Sequence, residues 1–117
     1  MEGTLTVTDV AGTNENERIL KLVGPLTITT MFDFRDTFRA DTSKKSVFVD
    51  FTEVPYLDSA GMGAVVNAHV SCANTGRHLA LVGVSERIMT MLKMTRVDSV
   101  LAIYPTLAEA RQALSAA

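Results

Sequence analysis

Short apolar runs of strand character alternate with stretches of helical periodicity along most of this chain, and that alternation limits the fold more than any other feature. Ile19-Leu-Lys-Leu-Val23, Ser46-Val-Phe-Val-Asp-Phe51, His78-Leu-Ala-Leu-Val-Gly83 and Val100-Leu-Ala-Ile-Tyr104 are the runs. The Ser46–Phe51 run is apolar on both sides, as a central strand covered by other layers requires. Between the runs lie three helical segments. Thr29 or Thr30 caps the first through about Ala40, with Thr30-x-x-Asp33 resembling a capping box and Phe34 and Phe38 on one face. The second runs from Ser59 to about Thr75, rich in small residues, and Gly76 is its stop. Ser85 caps a third that carries Ile88, Met91 and Leu92. A final helix opens on the capping box Thr106-Leu-Ala-Glu109, with Leu107, Ala110 and Leu114 as its apolar stripe.

Ahead of these units, Leu5, Val7 and Val10 alternate with Thr4, Thr6 and Thr8, the period of a strand with one buried face. The polar stretch from Ala11 to Glu17 is short enough to make the first two strands an antiparallel hairpin. The expected fold is α/β: a mixed, largely parallel sheet of four to five strands with about four helices and an antiparallel N-terminal strand. Strand order cannot be read from the pattern. At 117 residues, without internal repeat, linker or low-complexity segment, the expectation is a single domain over residues 1–117.

The chain has 47% apolar residues and carries 11 basic against 13 acidic side chains. No segment gathers Lys and Arg into a stripe, which removes the electrostatic footprint of a nucleic-acid binder. No apolar run reaches the ~18 residues of a membrane span, and the N-terminus lacks the basic and apolar regions of a signal peptide, so the cytoplasm is the expected compartment. Cys72 is alone and reads as a small buried hydrophobe. His69, mid-helix, and His78, at a strand start, are expected to face solvent or be capped. No cofactor is expected. Asp50, Glu53 and Asp58 are scattered carboxylates without further ligands, weak grounds for a metal site.

Chemistry concentrates where the central strand ends, a loop turns at Val54-Pro55-Tyr56-Leu57, and Asp58-Ser59-Ala60-Gly61-Met62-Gly63 opens a helix. Each glycine in a helix costs up to ~1 kcal/mol relative to alanine, so two in one turn ask for a reason, such as close approach of another backbone. Read structurally, Asp58 or Ser59 is an N-cap and the glycines ease packing. Read functionally, the Ser59 hydroxyl stands where free N–H groups and the positive end of the helix dipole converge, and a phosphate there is well accommodated. Phosphorylation would add about −1.5 to −2 charges beside Asp58 and repel a partner fitted to the neutral serine, without refolding the domain.

The run Leu57-Asp58-Ser59-Ala60-Gly61-Met62-Gly63, with the strand before it and the strand-helix units after it, resembles the STAS family over essentially the whole chain, in its anti-sigma factor antagonist type. The resemblance implies a protein-binding switch rather than an enzyme. Ser59 matches the serine phosphorylated by the anti-sigma factor, a serine kinase with a histidine-kinase-like ATPase fold, and Asp58, Ser59, Ala60, Gly61, Met62 and Gly63 match the partner-binding segment. It further implies that the unphosphorylated antagonist binds the anti-sigma factor and frees the sigma factor, and that a PP2C-type phosphatase resets the phosphorylated form. One departure stands out. Where many antagonists carry an acidic Gly-Glu-Leu-Asp-like loop, this chain has Gly24-Pro25-Leu26-Thr27.

Other classes fit less well. A receiver domain would place its phosphoacceptor at Asp50, yet no acidic pair follows the first strands and no lysine ends the last, where Tyr104-Pro105 stands. A serine hydrolase would need a Gly-x-Ser-x-Gly elbow, and neither His69 nor His78 shows any sign of serving Ser59 as a base. Met89, Met91 and Met94 read as core packing, with an adaptable contact surface as the second possibility. The alternative within the fold is a STAS accessory subunit, not phosphorylated, of a transport or stress-signalling complex.

Overall fold

The computed structural model describes residues 3–115, so Met1 and Glu2 of the N-terminal reading lie outside the described residues. β1 (Thr6–Ala11) and β2 (Glu17–Val23) form the expected antiparallel hairpin, with Thr6 opposite Val23 and Ala11 opposite Arg18. Leu5 is buried and Val7 half-buried, but Val10 is exposed: it shares its face of the strand with Thr6 and Thr8 rather than with Val7.

β3 (Ser46–Glu53), β4 (His78–Val82) and β5 (Ala102–Tyr104) add in parallel, and the sheet order is β1-β2-β3-β4-β5. Every parallel connection therefore steps to the adjacent position in one direction. Right-handed crossovers then deposit α1 (Met31–Arg39), α2 (Ser59–Asn74) and α3 (Glu86–Met94) on one face. That face holds the main core, where Phe34 and Phe38 of α1, Val65, Ala68 and Cys72 of α2, and Ile88 and Leu92 of α3 meet Leu20, Leu22, Val47, Val49, Phe51 and Leu81. Among the described residues the opposite face carries α4 (Leu107–Ser115) alone, with Ala110 packed on Ile19, Phe48, Ala80 and Val82. β3 sits at the centre and contributes to both faces, as its two-sided apolar sequence requires.

Three expectations need correction. Thr30 precedes α1 but makes no side-chain cap; its hydroxyl donates to the Pro25 carbonyl (2.9 Å) and accepts from the Thr27 N–H (2.8 Å), fastening the preceding loop instead. The last strand begins at Ala102 rather than Val100, because Val97–Ser99 form a 3₁₀ turn whose Val97 carbonyl accepts from both Val100 and Leu101. Val100 is left 50% exposed. Met94 does not pack in the core: it ends α3 off the Ile88–Leu92 face and is 80% exposed. Ser85 caps α3 by accepting from the Ile88 N–H, and Thr106 accepts from Glu109 N–H at the start of α4.

One anchor has no counterpart in the sequence pattern. Arg18, buried at 3% exposure, reaches across from β2 to the C-terminus of α1, donating to the carbonyls of Phe38 (2.8 Å), Asp41 (3.0 Å) and Thr37, while its Nε donates to Asp9 (3.0 Å). The terminal carbonyls of a helix lack intrahelical donors, and a guanidinium fork supplies them.

Candidate functional site

Two loops at the carboxyl edge of the parallel strands close on one another. The segment after β2 runs beside the segment after β3, joined by an isolated parallel bridge between Leu26 and Leu57. Leu26 N–H donates to the Tyr56 carbonyl (3.2 Å), and Asp58 N–H donates back to the Leu26 carbonyl (3.3 Å).

Asp58 is the N-cap of α2. One carboxylate oxygen accepts from the Gly61 N–H (2.8 Å) and the other from the Ile28 N–H of the facing loop (3.0 Å). A single side chain thus starts the helix and pins the second loop to it. The hydrogen bond from Gly61 acts most strongly on the Asp58 carboxyl; burial opposes it, and with the further hydrogen bonds from Ile28 and Ala60 the carboxyl is held below the usual carboxylate range.

Ser59 follows as the first residue of α2. It is exposed, and its hydroxyl makes no hydrogen bond to the described residues. Ala60 and Gly63 face a groove between α1 and α2. Gly61 is buried against the facing loop, where a Cβ would run into the Leu26 carbonyl, so close backbone approach accounts for it. Gly63 has no such account: nothing lies within 4 Å of a Cβ built there. Met62 packs against the core, and its sulfur accepts from the Thr95 hydroxyl at 3.4 Å.

Around this segment the surface is more apolar than the motif alone suggested. Ile28 is 56% exposed in the loop that contacts Asp58, and Tyr56 and Met94 are exposed on a second shallow groove beside Leu57 and Thr95. Arg87 lies over the Tyr56 ring at 5.5 Å. Thr27-Ile28-Thr29 was the available signal, an aliphatic residue between threonines in a loop.

The remaining candidates lie elsewhere or are engaged. Asp50 accepts from the N–H and hydroxyl of Thr52, and Glu53 pairs with Lys21 at 2.9 Å, so neither carboxylate joins Asp58. Cys72 is fully buried, and burial pushes its thiol up, opposed by the nearby Arg77. His78 is exposed, as expected. His69 departs from expectation: on α2 itself it is half-buried, and its Nδ1 is sealed from solvent without a hydrogen-bond partner among the described residues.

This strand, loop and capped helix, set in this order of elements, coincide with a family model. Residues 9–110 match the model described as the STAS domain. The chain belongs to the STAS domain family. A putative anti-sigma factor antagonist of Thermotoga maritima is 32% identical over 66 residues, covering 56% of this STAS chain and 58% of that relative. Across the curated relatives it matches, the chain spans about half of their length, from 48% to 58%. A crystal structure of a putative anti-sigma factor antagonist from Thermotoga maritima superposes with a TM-score of 0.74 at 25% identity, covering 92% of each chain. The Bacillus cell fate determinant SpoIIAA in its phosphorylated form superposes with a TM-score of 0.70 at 13% identity, covering 93% of this chain and 99% of that one, which shows a shared fold. Among the described residues no helix is long and apolar enough to cross a membrane.

Proposed function

We propose that this single STAS domain is an anti-sigma factor antagonist whose binding is switched by phosphorylation of Ser59. The observation that carries the reading is the setting of that hydroxyl: exposed, without a hydrogen-bond partner among the described residues, and on the first residue of a helix whose cap is supplied by its neighbour Asp58. Because Asp58 does the capping, Ser59 can be modified without loss of the helix start. A phosphate there lies at the positive end of the α2 dipole, so the domain tolerates it. A partner seated on Ser59, Ala60, Met62 and Gly63 meets instead about two new negative charges beside an existing carboxylate.

The partner in this reading is an anti-sigma factor serine kinase, with a PP2C-type phosphatase restoring the binding form, all in the cytoplasm. The domain supplies the acceptor hydroxyl and the docking face; the ATP chemistry belongs to the kinase. The loop at Gly24-Pro25-Leu26-Thr27, bare of carboxylates, together with exposed Ile28, Tyr56 and Met94, favours a partner that meets this face through apolar contacts.

The test is incubation of the purified protein with the serine kinases encoded beside its gene and ATP, followed by intact mass and a binding assay. Gain of one phosphate that Ser59→Ala abolishes, with loss of kinase binding on phosphorylation, is expected. Failure of every such kinase to transfer phosphate favours the non-phosphorylated accessory subunit, for which the exposed apolar loop would serve as a permanent contact.

A further inference from the structure

The loop that faces Asp58 has turned its polar groups inward. Leu26 N–H donates to the Tyr56 carbonyl, Thr27 N–H to the Thr30 hydroxyl (2.8 Å) and Ile28 N–H to the Asp58 carboxylate (3.0 Å). The Thr27 carbonyl accepts from both Thr30 and Met31, and the hydroxyls of Thr27 and Thr29 bond to one another at 3.0 Å. A hydrogen bond exchanged for another is close to neutral, so these groups offer a partner little. What the loop does offer is the side chain of Ile28, 56% exposed.

That side chain is also held still. The bridge between Leu26 and Leu57, the Leu26 carbonyl seated against Gly61 and the bond from Ile28 to Asp58 fix the backbone that carries it. Isoleucine is stiff at χ1, and an apolar group with few free rotors on a fixed backbone loses little freedom when a partner covers it. Met94 is more exposed but unbranched and flexible, and Tyr56 has Arg87 over its ring. Asp58 then supplies the link to the acceptor: one oxygen holds Ile28, the other caps α2 through Gly61, and Ser59 is the next residue. Ile28 and Ser59 therefore keep a set spacing. A partner that takes the Ser59 hydroxyl into a reactive site meets the Ile28 side chain at a fixed place beside it.

We propose that Ile28 is the specificity-determining contact of the Ser59 face, entering an apolar cleft that the phosphorylating kinase carries beside its acceptor-serine site. The inference rests on the Ser59 switch. A kinase with a basic group at that place is disfavoured, because its charge would be buried against isoleucine without a partner. The experiment measures Ser59 phosphorylation by the serine kinase encoded beside the gene, together with calorimetric binding, for the parent chain, Ile28→Ala, Ile28→Leu and Ile28→Asp. Ile28→Ala removes three carbons and is expected to raise the half-saturating concentration about ten- to fiftyfold, with turnover at saturation within about twofold of the parent. Ile28→Leu, which keeps the volume, is expected to stay within about threefold of the parent, and Ile28→Asp to weaken binding by about a hundredfold or more. Melting temperatures of all three are expected within about 2 °C of the parent, as for an exposed side chain. A parent that is phosphorylated while Ile28→Ala keeps its half-saturating concentration, or while Ile28→Asp binds as tightly, overturns the contact and leaves the switch standing. A fall in turnover with an unchanged half-saturating concentration overturns it as well. If no such kinase phosphorylates the parent, the switch and the contact fall together.

Discussion

The carbonyl oxygen of Leu26 occupies the place where a side chain on Gly61 would begin, and it also accepts the backbone N–H of Asp58. The loop after β2 is thereby pressed against the first turn of α2 so closely that only hydrogen fits between them. Gly61→Ala must push this loop away and is expected to cost about 2 kcal/mol or more, near the upper end for overpacking. Gly63→Ala, two residues on and with nothing in its path, is expected to stabilise by about 0.5 to 1 kcal/mol. Urea unfolding of both variants decides the matter; equal effects would contradict the packing described.

Ser59→Asp should leave the fold intact, with a melting temperature equal to or slightly above that of the parent, since a carboxylate in the first turn of a helix is favourable by about 0.3 to 1 kcal/mol. Binding to the cognate kinase, followed by calorimetry, is expected to fall below detection. A variant that bound as tightly as the parent would remove charge repulsion as the switching force.

Acid should weaken the protein in part through Asp58. Its carboxyl is held below the ordinary range by the Gly61 N–H and then the Ile28 N–H, so its contribution is fully present above the unfolded value near 4 and is lost as pH falls through the lower folded one. Asp41, lowered by Ser43, acts in the same direction. So does Glu17, where burial alone would raise the carboxyl but hydrogen bonds from Arg111 and Thr13 outweigh it. Asp58→Asn keeps an acceptor for the cap and loses the titration. Its melting temperature should fall less steeply than that of the parent below about pH 4; parallel curves would show that Asp58 plays no part.

Arg18→Met takes the guanidinium donor from the carbonyls of Phe38 and Asp41, Thr37 keeping the Ala40 N–H, and a cost of about 2 to 4 kcal/mol is expected in urea unfolding. Arg18→Lys should recover only part of that, because an ammonium cannot present the planar fork.

Much of this architecture was legible in the chain. Ser46–Phe51 announced a central strand by being apolar on both sides, Ser85 and Thr106 announced helix starts, and Asp58-Ser59 marked the turn that holds the candidate site. Period and capping are local, and local rules suffice for them. What escaped depends on groups distant in sequence. Thr30 looked like a cap but spends its hydroxyl on Pro25 and Thr27, Val100 looked like strand but is held in a turn by Val97, and Arg18 gave no sign that it would end a helix some twenty residues away. Of the two glycines in the motif, one meets a loop some thirty-five residues earlier in the chain and the other meets nothing, a distinction set by the fold and not by the local pattern.

A sheet in which spatial neighbours are also neighbours along the chain asks no strand to wait for a later one to be inserted beside it. As the polypeptide leaves the ribosome, the hairpin can offer its open edge to β3, β3 to β4 and β4 to β5, each closing a loop of modest entropy. The growing end stays exposed only until the next unit arrives, and α4, made after all five strands, seals the face that α1, α2 and α3 do not reach.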